Sequence, residues 1–283
     1  MTIHARVAAA RLRLRAAGIS EADSELDARL LAQHVLGWTA ERFLTDAREP
    51  EPDDFAPRYQ PLVERRAARE PLAYIVGTRE FWGLDFEVSP AVLIPRPSTE
   101  LIVEIVLQRF PDRAAPLSIA DVCTGCGCIG VALAHERPAA RIIATDISAD
   151  AVTIARRNAA RHGVGDRIDV RRTDLLDGVG GPLDAIVANP PYVEDRAAPS
   201  LQPEVRHHEP ALALFGGVDG LGVVSRLVAE APSRLSPDGL LVFEFGFGQE
   251  IDVEPLLAAS DLTLVELRRD LDGIARTAVA ERR

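Results

Sequence analysis

Residues 117–130 read LSIADVCTGCGCIG. LSIADV reads as a strand. It runs directly into Gly125, Gly127 and Gly130, spaced G-x-G-x-x-G, and then into GVALAHER (130–137), which reads as a helix. A second strand, RIIATDI (141–147), ends in Asp146, 21 residues beyond Gly125. Strand, glycine turn, helix, strand and acid is the spacing of a dinucleotide fingerprint. Missing side chains let a ligand approach the backbone at a helix N-terminus. The acid then takes ribose hydroxyls. NAD and S-adenosylmethionine both present an adenosine ribose, so the pattern leaves both open.

The same loop holds Cys123, Cys126 and Cys128, the chain's three cysteines. Structural zinc takes four ligands at C-x2-4-C spacing, and there is no fourth cysteine. We read the three as small residues filling a tight turn and expect no metal.

Beyond the loop the pattern alternates. STELIVEIVLQRF (98–110), ADAVTIARRNAARHG (149–163) and LGVVSRLVAEAPSRLS (221–236) read as helices. RIDVRRTD (167–174), LDAIVAN (183–189), GLLVFEFG (239–246), LTLVELRRD (262–270) and IARTAVAER (274–282) read as strands. Such alternation argues for a parallel α/β sheet. Residues 5–48 read as helices, with an apolar stripe through Leu26, Leu30, Leu31 and Val35 and a stop at Gly37. APRYQPLVERRAARE (56–70) adds another helix. AYIVGTREFWGLDFEVSPAVLIPRP (73–97) mixes aromatic and β-branched residues with glycine and proline and suggests a hairpin linker. The expected layout is a helical N-terminal domain over 1–75, a β-hairpin linker over 76–97 and a catalytic domain over 98–283.

At 283 residues and 47% hydrophobic, the chain can bury a sizeable core. Its net charge of -11 argues against tight, phosphate-driven nucleic-acid binding. All 32 basic residues are arginine, which we read as the codon bias of a GC-rich genome. No apolar run approaches the ~20 residues of a membrane span. The N-terminus has no uninterrupted apolar core of the signal-peptide kind, and three clustered cysteines make no disulfide framework. A cytoplasmic setting is expected.

Two further strand ends carry chemistry. Asp174 should lie beside Asp146 on the ligand-binding edge. Asn189 should end the fourth strand on the same edge and opens NPPY (189–192). Pro190 and Pro191 have no N–H, so the corner offers acceptors and few donors. With the Tyr192 ring beside it, it suits a planar group bearing an NH2. A nicotinamide enzyme has no evident use for it. A methyl donor does.

The glycine loop, the acidic strand end and NPPY together resemble class I methyltransferases that modify planar amino or amide nitrogens. DNA adenine N6-methyltransferases and protein glutamine N5-methyltransferases share this corner. REPLAYIVGTREFWGLDFEVSPAVLIPRPSTE (69–100), EPALALFGGVDGL (209–221), LVFEFGFGQ (241–249) and DLDGIAR (270–276) resemble the second group, the release factor glutamine methyltransferases (HemK/PrmC family), from about residue 60 to the end. The resemblance implies a class I methyltransferase Rossmann-like sheet, mostly parallel with an antiparallel last strand. It implies S-adenosylmethionine held by Cys123, Thr124, Gly125, Cys126 and Gly127, by Asp146 at the ribose, by Asp174 and Leu175 at the adenine, and by Asn189. Asn189, Pro190, Pro191 and Tyr192 would hold the substrate glutamine. Asn189, Pro190 and Tyr192 would be catalytic, with Tyr192 packed on the amide plane. The implied partner is a release factor presenting a Gly-Gly-Gln loop to the helical N-terminal domain. No nucleic acid or membrane is implied, and the layout works as a monomer.

Two positions depart from the family pattern. Cys123 stands where glycine is frequent, and Ser98 replaces a glutamate, where it is read as the cap of the following helix. Three smaller questions stay open. Phe81, Trp82 and Phe86 line a substrate channel or pack the hairpin. His207 and His208 read as surface residues. Arg96 meets an acidic group or braces its loop. The rivals are a DNA adenine methyltransferase, which needs a basic face for a flipped base, an NAD-dependent oxidoreductase, an S-adenosylmethionine-binding module without activity, and a sibling enzyme acting on a ribosomal protein. As we know that sibling, its linker lacks the PRPSTE-like ending.

Overall fold

The computed structural model describes residues 1–283 and divides into two compact units, one of Met1–Thr78 with Gln202–His208, the other of Arg79–Leu201 with Glu209–Arg283. The first unit begins with helices α1 (Ile3–Ala16), α2 (Glu21–Leu36), α3 (Ala40–Asp46), α4 (Phe55–Ala67) and α5 (Leu72–Val76). Their ends follow the sequence. Thr2 and Ser20 accept the amides of Ala5 and Asp23 at 3.2 and 3.1 Å, and Gly37 closes α2 in the left-handed region. Leu14, Leu31, Phe55, Tyr59 and Val63 form the centre of this unit's core. The rings of Phe55 and Tyr59 stack at 4.9 Å, and the Tyr59 hydroxyl donates to Ala28 O at 2.8 Å.

The stripe expected on α2 is rotated. Leu26 is 43% exposed and Leu30 half-buried, while Ser24, Asp27, Ala28, Leu31 and Val35 face inward. A buried acid on the inner face broke the apolar pattern. Asp27 is held by Arg66, whose Nε donates to it at 2.6 Å. Arg66 Nη1 and Arg69 Nη2 both donate to Glu204, at 2.9 and 2.7 Å. Glu204 lies on a short helix, Pro203–His208, far away in sequence.

A hairpin of β1 (Thr78–Phe81) and β2 (Leu84–Glu87) follows, in the second unit from Arg79 onward. Trp82 and Gly83 both take positive φ, 55° and 70°, as a two-residue turn matching the strand twist requires. Phe81 and Phe86 are buried and meet edge to face at 6.1 Å. The Asn158 side chain ties this hairpin to the glycine loop. Its Oδ1 accepts from Glu87 N at 2.8 Å, and its Nδ2 donates to Glu87 O at 3.0 Å and Cys126 O at 2.8 Å.

There follow α6 (Glu100–Arg109), β3 (Ser118–Val122), α7 (Cys128–Glu136), β4 (Arg141–Asp146), α8 (Ala149–Arg161), β5 (Ile168–Arg172) and β6 (Leu183–Ala188). Next come α9 (Pro203–His208, of the first unit), α10 (Ala211–Leu214), α11 (Gly222–Glu230), β7 (Leu235–Glu244), α12 (Glu250–Ala258), β8 (Leu262–Arg269) and β9 (Ala275–Arg282). Ser98 does not cap α6. It lies in a 3-10 turn, Pro97–Thr99, and the N-cap position falls to Thr99, whose side chain makes no cap bond. The helix read over 221–236 stops at Glu230, and β7 starts at Leu235.

The seven strands of the main sheet lie in the order β5-β4-β3-β6-β7-β9-β8. β9, the last in the chain, runs antiparallel to both neighbours, and the remaining pairs are parallel. The chain winds outward from β3 to β5, then returns to place β6 on the other side of β3. That reversal opens a crevice at the carboxyl ends of β3 and β6, where such sheets bind ligands. Val122 pairs with Ala188, so the chain leaves both strands side by side at Cys123 and Asn189. No helix is long and apolar enough to cross a membrane.

Candidate active site

A cavity of about 270 Å³ lies in this crevice, within the second unit. Cys123, Thr124, Gly125 and Cys126 form its floor, Asp146 and Ser148 continue from β4, Asp174 and Leu175 from β5, and Asn189 and Pro191 from β6. Of the residues that the resemblance assigns to cofactor or substrate, Gly127, Pro190 and Tyr192 are not on this wall. Gly127 serves packing, since a Cβ there would come within 3.2 Å of Ala155 Cβ. Gly125 is different. It takes φ of 56°, and a Cβ there would enter open space. The loop thus offers bare backbone at the cavity, a cradle that a side chain would fill.

Asp146 is engaged with the backbone around it. Its Oδ2 accepts from Gly125 N at 3.0 Å and its Oδ1 from Ser148 N at 2.9 Å. Burial raises its pKa, opposed by those amides. Each oxygen retains a second acceptor position, the requirement for holding vicinal hydroxyls. Behind the loop lies Asp121, fully buried. Its Oδ2 accepts from Thr124 Oγ1 at 2.5 Å and Gly130 N at 2.9 Å, while Oδ1 has no partner. Burial raises its carboxyl to about 7. The Asp174 carboxylate pairs with Arg226 at 2.7 Å, at the cavity rim.

The three cysteines are free thiols. Burial pushes Cys123 well up, so it is a poor nucleophile there. Its backbone carries a finding of its own. Cys123 has φ of 58°, in the left-handed region that favours glycine.

NPPY is braced from three directions. Asn189 Nδ2 donates to Thr99 Oγ1 at 3.0 Å, and Thr99 Oγ1 donates to Glu244 Oε2 at 2.7 Å. The other oxygen of Glu244 accepts from the Tyr192 hydroxyl at 2.8 Å. Glu244 and Thr99 are buried, and burial raises the Glu244 pKa against these two hydroxyls and the charges of Arg276 and Arg96. Gln249 Nε2 donates to Tyr192 O at 3.0 Å and Asp219 O at 3.3 Å. Segment 214–216 runs beside the clamp, with Val193 N donating to Leu214 O at 2.8 Å and Gly216 N to Val193 O at 2.9 Å.

Sequence reasoning missed Thr99 and Glu244, which lie 90 and 55 positions from Asn189 and share no spacing with it. The only signal was that PRPSTE and VFEFG each stand in a segment that matched the family. The open questions close individually. Phe81, Trp82 and Phe86 do not line the cavity, and the two phenylalanines pack the hairpin. Arg96 does meet an acid, pairing with Glu209 at 2.5 Å. His207 and His208 sit on α9 and do not line the cavity.

Comparisons with known proteins fit this geometry. Residues 7–77 match the family model described as PrmC N-terminal domain, and residues 98–205 the one described as Methyltransferase small domain. The chain is 42% identical over 273 residues to the release factor glutamine methyltransferase of Bradyrhizobium diazoefficiens, covering 95% of this chain and 91% of that protein. It is 39% identical to that of Agrobacterium fabrum, covering 99% and 98%. Among solved structures, a methyltransferase from Pyrococcus furiosus shares the fold, with a TM-score of 0.53 at 18% identity over 80% of this chain and 98% of that one. Identity near 40% over nearly the whole length, together with both domain matches, makes the chain a member of the release factor glutamine methyltransferase family.

Proposed function

We propose that the protein methylates the side-chain amide nitrogen of a glutamine, that of the Gly-Gly-Gln motif of peptide chain release factors, with S-adenosylmethionine as donor. The observation that carries this reading is the meeting of Asn189 and Pro191 with Gly125 and Asp146 around one cavity. In it, the cradle of Cys123, Thr124, Gly125 and Cys126 holds the donor, Asp146 takes its ribose, and Asp174 with Leu175 flanks its adenine. S-adenosylmethionine bound there supplies an electrophilic methyl carbon on a sulfonium.

The protein's part is positioning. An amide nitrogen is a poor nucleophile because its lone pair is delocalised. Asn189 Oδ1 and the Pro190 carbonyl accept its two N–H bonds, which fixes the nitrogen in line with the methyl and favours the charge developing on it. No base has to act first, since the proton leaves to solvent after transfer. Tyr192 stands behind the clamp, its hydroxyl committed to Glu244. The helical first unit supplies the substrate-recognition surface, the chain acts as a monomer, and the reaction belongs to the cytoplasm. A net charge of -11 favours a protein substrate over nucleic acid.

Labelled S-adenosylmethionine with purified release factors tests the reading. Label should enter the wild-type factor and not a variant with Gln→Ala in the Gly-Gly-Gln loop. Label persisting in the variant refutes the glutamine assignment.

A further inference from the structure

We propose that Thr99 and Glu244 are positioning residues that fix which way the Asn189 amide faces, an inference that rests on the glutamine reading above. A carboxamide has two ends of nearly equal shape and opposite hydrogen-bonding character. A clamp for an NH2 works only if Asn189 presents oxygen. Presenting nitrogen, it would set donor against donor. The prolines of NPPY do not decide this, because they constrain the backbone and leave the side-chain amide free to turn over.

The network behind Asn189 decides it. An ionised carboxylate only accepts. Glu244 therefore takes the single hydroxyl proton of Thr99 at Oε2, over 2.7 Å, and that of Tyr192 at Oε1, over 2.8 Å. With its proton spent, Thr99 Oγ1 can only accept from Asn189, 3.0 Å away. The group directed at Thr99 is then the NH2, and Oδ1 is left for the substrate. The chain of polarity runs from carboxylate to hydroxyl to amide nitrogen. Thr99 is 1% exposed and Glu244 fully buried, so water is kept from supplying a substitute donor. Thr277, opposite Glu244 on β9, carries a buried hydroxyl with no hydrogen-bond partner. Burial raises the Glu244 pKa, and the two hydroxyls donated to it, with the Arg276 and Arg96 charges, oppose that rise.

The test separates hydroxyl chemistry from packing. Thr99→Val keeps the shape and loses the hydroxyl. Thr99→Ser keeps the hydroxyl and loses a methyl group. Thr99→Ala matches the serine variant except for the hydroxyl, so alanine against serine decides should the valine variant not fold. Methyl transfer to a release factor should fall by about a hundredfold in Thr99→Val and Thr99→Ala, as for a misplaced reacting group. Thr99→Ser should remain near wild type, and all three should bind labelled S-adenosylmethionine as wild type does. A readout independent of turnover is the exchange of the Asn189 side-chain NH2 protons with solvent, followed by 15N NMR. It should be slow in wild type and Thr99→Ser, and fast in the other two.

Wild-type turnover in Thr99→Val, or serine and alanine variants equally slow, would overturn the positioning role. A wild type that labels no release factor but shows this exchange pattern would overturn the functional reading and leave the Asn189 orientation standing.

Discussion

Asn189 has one side-chain acceptor atom to offer a substrate, and the Thr99 and Tyr192 hydroxyls beside it are committed to Glu244. Asn189→Ala should abolish methyl transfer while weakening binding of labelled S-adenosylmethionine far less, since Gly125 and Asp146 are untouched. Retained turnover would sink the clamp. Cys123 makes a second residue-scale prediction. Left-handed backbone costs a side-chain-bearing residue about 1–2 kcal/mol, and β-branching raises that cost. Cys123→Val should lower stability in urea denaturation, whereas Cys123→Gly should not.

Asp121 carries the pH argument. Its carboxyl stands near 7 in the folded chain and at about 4 in an unfolded one. Between those values the folded state binds more protons, so this group makes stability fall as pH rises from about 4 to about 7, with no further change above. Asp121→Asn should remove that slope. Denaturation midpoints at pH 5 and pH 8 check it, and an unchanged difference in the variant would locate the effect elsewhere.

At the scale of elements, the clamp depends on the loop between α10 and α11. A Cβ on Gly220 would lie 2.3 Å from the Tyr192 carbonyl oxygen, and φ there is 74°. Gly220→Ala must therefore displace NPPY, with loss of turnover out of proportion to any loss of folding. Gly178, also at positive φ but with open space around it, is the control. Its alanine variant should pay the backbone strain alone and keep its activity. The regular elements were legible wherever length and period agreed: β3, β4 and β6 as short apolar runs, α8 as a helix. The elements that escaped had no such signal. α9 and α10 span six and four residues, too few to show a helical period. α12 contains Pro255, which reads as a break. α2 was found but rotated, because Asp27 faces a buried partner that lies 39 residues away.

At the scale of the whole chain, the first unit is held partly by charges. Arg66 is 6% exposed and binds both Asp27 and Glu204. Removing it strands a buried carboxylate, so Arg66→Ala should cost about 3–5 kcal/mol in urea denaturation. Loss below about 1 kcal/mol, the range of an exposed pair, would show that the network is solvated. The cradle and NPPY could be read because each is contiguous. Thr99 and Glu244 could not, since only the folded chain brings the Pro97–Thr99 turn and the end of β7 to Asn189.

The crevice draws its wall from the ends of β3, β4, β5 and β6 and from segments 91–99 and 210–226. No short fragment of the sequence contains it. The donor must therefore recognise only the completed sheet, and recognition then feeds back on folding. Raising S-adenosylmethionine to a hundred times its dissociation constant should add about 2.7 kcal/mol to the unfolding free energy. The melting temperature becomes a titration curve for the cofactor, readable without any methyl acceptor present.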